Sequence, residues 1–279
     1  MRKFIWPLGL LILVSLFLAC ATTGPGGKKD LILISDAQEV SLGQEFDNTV
    51  KADAKILADQ RWQDYFNEIG QRIVSVSDRQ NIEYHFTVIE SDDINAFATP
   101  GGFVYIYTGL LRIIDNEAQL AAVTSHEISH VVARHSIKRL QQVLGVSILY
   151  EIVLGESSTE VVDAAIGLGL QVALSGYSRG YEKEADQYGV IYMERAGFNP
   201  IGAKELFTNM QAASGGAGER SFFENMFASH PETNVRIENV TAQAAAYSQQ
   251  VLNRDKGRTR YQQMKQLLPP PQESNSEQK

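Results

Sequence analysis

Hydrophobic and polar positions along the chain follow two periods. From Asp36 to about Ala58, Val40, Phe46, Val50, Ile56 and Leu57 recur at helical spacing, and Trp62, Phe66, Ile69 and Ile73 repeat the pattern in a second helix. Glu83 to Glu90 (EYHFTVIE) alternates in β-forming residues, which predicts a strand. Phe103 to Tyr107 (FVYIY) predicts a second strand, entered through the turn Pro100-Gly101-Gly102. Asn116 to Arg134 returns to a long helical period. Leu144 to Leu154 and Val161 to Leu174 are apolar segments split by the polar run Gly155 to Glu160. Each falls short of the roughly 20 residues a membrane span needs, and Glu151 and Asp163 interrupt them, so a buried helical hairpin is expected. Tyr181 to Ala196 predicts a helix stopped by Gly197, and Asn199-Pro200 opens the next as cap and first turn. Ser214 to Gly218 reads as a loop, and Asn234 to Tyr247 as a last helix. The pattern predicts an α+β class, mostly helical with a small β-sheet. One domain is expected over residues 31–255, then an extension over 256–279 with a disordered polar tail from Pro269-Pro270-Pro271.

With 279 residues and 44% hydrophobic content, the chain can bury one sizeable core. A net charge of -8 with scattered Lys and Arg argues against a nucleic-acid partner, which needs clustered cations. The first 19 residues stand apart. Met1-Arg2-Lys3 is a short basic region and Phe4 to Ala19 an uncharged apolar run ending in a small residue, the pattern of a secretory signal peptide. Cys20 is the single cysteine, so no internal disulfide can form. Phe17-Leu18-Ala19-Cys20 resembles a bacterial lipobox, with Phe17 where leucine is usual, which implies lipidation of Cys20. Ala21 after it resembles lipoproteins sent to the outer membrane. Thr22 to Lys29 (TTGPGGKK) then reads as a flexible tether, so residues 20–30 are expected as a lipidated linker.

His126-Glu127-Ile128-Ser129-His130 carries the chemistry. Residues four apart share a helix face, so both imidazoles can reach one ion. Glu127 beside them can take a proton from a metal-activated water, because zinc lowers the pKa of its water towards about 7. Catalytic zinc needs a third protein ligand and one open position. His135 is one option, but the metzincin spacing would need Gly at Ala133 and His at Ser136, and His135 reads better as a helix-terminal histidine favoured by the dipole. The stretch SRGYEKEAD (178–186) offers another. Glu182 and Asp186 lie one turn apart, so Glu182 can ligate while Asp186 accepts a hydrogen bond from the outer nitrogen of a ligand, His126 by preference. Ala185 between them suits close packing against the first helix, and Glu184 on another face is the weaker ligand.

The His-Glu-x-x-His motif followed by SRGYEKEAD resembles the HtpX/Oma1/BepA-like gluzincin zinc metallopeptidases related to the CAAX prenyl protease. The resemblance extends over about Asp36 to Tyr247 and includes three further segments: Asn95 to Gly102 (NAFATPGG), His126 to Ser136 (HEISHVVARHS), and Ser229-His230-Pro231 with Arg236. It implies one Zn2+ per chain on His126, His130 and Glu182, with Glu127 as general base. It also implies a sheet at the active-site cleft, where Asn95, Phe97, Gly101, Gly102, Phe103, Val104 and Tyr105 would hold an extended substrate by strand addition. His230 would sit near the metal and could close its open position, holding the enzyme latent. Arg236 would anchor that loop or help stabilise the oxyanion. HtpX and the prenyl protease carry membrane helices and BepA a helical-repeat domain; neither has a counterpart after Cys20 here, so prenyl-protein substrates and repeat-mediated partners are not implied. The expected function is endoproteolysis of unfolded or misassembled envelope proteins at the periplasmic face, with membrane attachment through the lipid alone. The competing expectation is a non-proteolytic assembly factor or chaperone-like lipoprotein with a structural zinc. Glu127 discriminates the two, since a closed structural site has no need of a base.

Overall fold

The computed structural model describes residues 24–271 except 29, 31, 33, 146–148, 150, 153, 156, 157, 175 and 215–233. Ser35 starts the first helix through a capping box: its hydroxyl accepts from Gln38 N while the Gln38 side chain accepts from Ser35 N. This helix, α1 (Asp36–Asp53), stops five residues short of expectation because the next segment pairs instead. Leu57 N donates to the Val88 carbonyl and Glu90 N to that of Lys55, laying residues 55–57 beside the sheet. Asp59 caps α2 (Gln60–Val74), whose Trp62, Phe66, Ile69 and Ile73 are buried as expected.

The sheet has three strands, β1 (His85–Ile89), β2 (Ala96–Thr99) and β3 (Phe103–Tyr107), in the order β1-β3-β2. β3 runs parallel to β1 and antiparallel to β2. The strand expected to receive substrate is therefore the central one. Both its edges are already paired, so Phe103, Val104 and Tyr105 cannot accept a further strand. Their side chains are buried, and Phe97, Phe103 and Tyr105 share one apolar cluster, with the Tyr105 hydroxyl donating to Asp47 Oδ1 at 2.9 Å. Gly101 and Gly102 form the turn at φ 80° and 99°, and Gly101 N donates to the buried Glu39 carboxylate. An uninterrupted apolar run such as FVYIY is what a strand buried on both faces requires.

A short helix α3 (Thr108–Ile113) leads to α4 (Glu117–Val132), capped by Asn116, whose Oδ1 accepts from Gln119 N at 3.0 Å. Arg134 then turns left-handed, φ 54°, and a separate helix α5 (His135–Leu144) begins. That turn costs roughly 1–2 kcal/mol for a residue with a Cβ. It is held by Glu39 of α1, whose Oε2 lies 2.6 Å from Arg134 Nε, and by Arg79, which donates to both Glu39 oxygens and to the Val131 carbonyl. The close seat of α1 against the Pro100–Gly102 turn depends on Gly43, where an added Cβ would overlap the Pro100 carbonyl oxygen. Gly43→Ala is expected to lower unfolding free energy by roughly 1–3 kcal/mol in urea titrations, the cost of overpacking.

The expected hairpin is seen in part: Leu149 and Ile152 share one buried cluster with Ala165 and Ile166 of α6 (Thr159–Leu174), with α5 packed alongside, while residues 146–148, 150 and 153 lie outside the described residues. Its inner face buries Ile137, Leu140 and Ile166 against Phe46, while Val143, Leu154, Val161 and Leu174 are exposed, so the hairpin is only partly buried. Among the described residues no helix is long and apolar enough to cross a membrane. Ser178 caps α7 (Arg179–Arg195). Gly197 at φ 84° ends it, and Asn199 Oδ1 accepts from Ile201 N to open α8 (Ile201–Ser214). α9 (Asn234–Ala245) and, after a single turn, α10 (Arg258–Lys265) are the last helices among the described residues.

Two expected boundaries are corrected. Residues 256–271 belong to the domain: Tyr261 is fully buried, its hydroxyl donates to the Leu111 carbonyl, and Arg260 pairs with Glu68. Of the expected extension, residues 272–279 lie outside the described residues. The described residues of the expected tether, 24–28 and 30, are also seated. Pro25 is buried, Gly26 N donates to Asp78 at 2.8 Å, Lys28 pairs with Glu184 at 3.3 Å, and Asp30 pairs with Lys138. Polar contacts, invisible to a composition rule about Gly and Pro, fix it there.

Candidate active site

α4 and α7 cross closely where α7 carries glycine. A Cβ at Gly189 would stand 3.2 Å from His126 N, so this position, rather than Ala185 alone, lets the two helices approach. The crossing brings the predicted groups together. His126 Nε2 and His130 Nε2 are 3.1 Å apart, and each lies 3.5 Å from an oxygen of Glu182. Ligand atoms about 2.0–2.1 Å from a tetrahedral zinc stand about 3.3 Å from one another, so these separations fit one ion. His130 and Glu182 are buried, and His126 keeps 14% of its side chain exposed. Cys20 and His230 lie outside the described residues.

Asp186 takes the expected place behind His126, with Oδ1 3.1 Å from Nδ1. Arg236, from α9, joins both acids. It donates from Nε and Nη2 to Asp186 at 2.7 and 2.8 Å, and its Nη1 lies 2.7 Å from Glu182 Oε2. It is a clamp on the carboxylates. Burial opposes the Asp186 charge, but Arg236 and His126 outweigh it and hold that carboxyl below its usual range. Burial likewise opposes charge on His126, yet Asp186 and Glu182 push its pKa up to about 10. Arg236 thus faces two buried carboxylates, Glu182 and Asp186, and the buried Glu127 adds a third acid beside His126, an acidic surrounding that suits a cation.

Sequence reasoning missed the other side of His130. Its Nδ1 is 2.9 Å from His135 Nδ1, and Tyr177 stacks on its ring at 4.0 Å. His135 is not at a helix C-terminus; it opens α5 behind the left-handed turn. It is fully buried, burial keeps its pKa below the usual value, and its Nε2 is 3.2 Å from Glu184 Oε2. His135 and then Lys28 hold the Glu184 carboxyl down to about 2.

Glu127 is buried next to His126 on a cavity of about 50 Å³, whose other walls include Ala96, Val190, Leu206 and Phe207. Ala96 belongs to β2, the strand that sequence periodicity did not reveal. Tyr107 N donates to the Asn95 carbonyl, so in antiparallel alternation residues 95, 97 and 99 bond to β3 while the backbone groups of Ala96 and Ala98 point outward. The Ala98 carbonyl already accepts weakly from Ser136 Oγ at 3.5 Å. Of these two outward-facing residues, Ala96 lines the cavity with His126 and Glu127.

Two imidazoles and a carboxylate converging from crossed helices, with a further carboxylate on the open side, define a zincin-type metallopeptidase centre. The chain belongs to Peptidase family M48, whose profile matches residues 60–244; M48 metallopeptidases are zinc-dependent. It is 34% identical over 176 residues to the β-barrel assembly-enhancing protease of Yersinia pestis, covering 60% of this chain and 36% of that protein. The Escherichia coli K12 protein of the same name is 33% identical over the same share of each chain. The mitochondrial metalloendopeptidase OMA1 of Schizosaccharomyces pombe is 33% identical over 178 residues, 63% of this chain and 51% of that protein. The chain thus matches between about a third and half of the length of these relatives.

Proposed function

We propose that the protein is a zinc-dependent endopeptidase that cleaves extended segments of unfolded or misassembled cell-envelope proteins. The observation that carries the reading is the 3.1–3.5 Å spacing of donor atoms on His126, His130 and Glu182, with Glu127 beside them. Zinc held there supplies Lewis acidity, polarising a peptide carbonyl and making water nucleophilic near neutral pH. The Glu127 carboxylate takes the proton from the attacking water and returns it to the departing amine nitrogen. Asp186 accepts the Nδ1 proton of His126, which leaves Nε2 to a metal, and Arg236 favours the ionised form of Asp186 and orients both carboxylates. The Ala96 backbone pairs with the substrate main chain, and the neighbouring cavity takes a small aliphatic side chain. Main-chain pairing tolerates most sequences, which suits a substrate defined by being unfolded.

The names of the two bacterial relatives support an envelope setting, and the lipobox-like FLAC (17–20) supports attachment through a lipid on Cys20 at the outer membrane's periplasmic face. In the same proposal His230 closes the metal's open position in the resting protein. The test is casein digestion by purified parent and His230→Ala, each with zinc, with chelator, and with zinc restored. Digestion should require zinc and be faster in His230→Ala. A His230→Ala protein no faster than the parent sinks the latch; no zinc-dependent digestion by either sinks the peptidase reading.

A further inference from the structure

We infer that His135 and Glu184 form a positioning relay that fixes the tautomer of His130 and so presets the metal site. The inference rests on the zinc-site reading above and adds residues to it. For Nε2 of His130 to offer a lone pair to a metal, its proton must sit on Nδ1, and that proton needs an acceptor because the ring is buried. The atom 2.9 Å away is His135 Nδ1, a nitrogen that can equally well donate. If it donated, His130 would carry its proton on Nε2 and could bind nothing.

Glu184 removes the ambiguity. Its Oε2 is 3.2 Å from His135 Nε2, and a carboxylate only accepts, so the His135 proton belongs on Nε2. His135 Nδ1 is then left as the acceptor and His130 Nδ1 as the donor. The orientation follows from one end of the chain. Lys28, a pure donor 3.3 Å from both Glu184 oxygens, holds the carboxylate in place against His135.

The geometry around His135 allows few other arrangements. The left-handed turn at Arg134, held by Glu39, starts a new helix whose first side chain folds back onto the preceding one. Tyr181 stacks on the His135 ring at 4.1 Å and 17°, fixing its plane. The two metal-binding imidazoles are therefore backed differently: His126 directly by a carboxylate, and His130 by a carboxylate through an intervening ring.

The experiment is chelator-competition titration of zinc into the purified apo parent, His135→Ala, His135→Asn, Glu184→Ala and Glu182→Ala, with the thermal midpoint of each apo protein recorded. His135→Ala should weaken zinc binding about 10- to 100-fold without a matching fall in apo stability, and Glu184→Ala about threefold to tenfold. His135→Asn should recover most of the loss, because its amide oxygen can occupy the place of Nδ1 and accept. A zinc Kd within twofold of the parent in His135→Ala overturns the relay. So does a loss in His135→Ala with none in Glu184→Ala, or no recovery in a folded His135→Asn. Should His135→Ala fail to fold, Glu184→Ala, changed at a partly exposed side chain, decides alone: unaltered zinc binding refutes the relay. A parent indifferent to Glu182→Ala would instead sink the metal-site reading.

Discussion

Glu127→Gln is expected to slow peptide hydrolysis by about 10²–10⁴-fold, the range for loss of a general base, while zinc Kd stays within a few-fold of the parent. The reasoning is geometric. Glu127 precedes Ile128 and Ser129 on α4 and lines the cavity, but the grouped donors are those of His126, His130 and Glu182. Glutamine keeps the shape and a polar end while losing the capacity to hold a proton. Hydrolysis of a quenched peptide, measured on zinc-loaded proteins, reads the first quantity, and chelator competition the second. Unchanged turnover would mean that another group deprotonates water. Lost zinc would mean that Glu127 is a ligand.

Glu182→Ala should have the opposite profile, with zinc affinity down by more than about 100-fold, exceeding the usual cost of an outer partner, and activity lost with it. It removes the only donor from α7 and leaves Arg236 facing one carboxylate in place of two. A proton competes with the metal here. With His126 raised to about 10 in the apo protein, zinc uptake by the parent at pH 8 should release about one proton, and apparent affinity should rise about tenfold per pH unit through that range. Apo stability runs the other way. A histidine raised in the folded state stabilises fully below about 6.5, and that contribution fades as pH climbs to about 10. Calorimetric titration in buffers of different ionisation heat measures the released proton. Its absence would show that His126 is neutral before metal arrives.

Much of this arrangement was legible in the residues because it is local. The i,i+4 spacings of His126 with His130 and of Glu182 with Asp186 state a helix face directly, and Asn116 marks where the first of the two helices starts, while Ser178 starts the second two residues ahead of the expected Tyr181. The parts that escaped are set by distant residues. β2 is four residues long, two of them alanine, and exists because β3 is there to pair with it. His135 faces His130 only because Glu39, nearly a hundred positions earlier, holds Arg134 in a left-handed turn. The clamp by Arg236 joins residues 50 apart, and resemblance placed Arg236 near the site without naming its partners. α10 was missed because it buries one residue, Tyr261, which leaves no apolar stripe to read. The central position of β3 could have been found, since an edge strand seldom carries five consecutive apolar or aromatic residues.

The seating of Gly24 to Lys28 on the domain bears on where the protein can work. If Cys20 carries the proposed lipid, only four peptide steps separate the anchor from Gly24, a leash of at most about 14 Å. The catalytic body would then hover within a few water layers of the bilayer, sampling polypeptides stalled at that surface and passing over those dissolved in bulk.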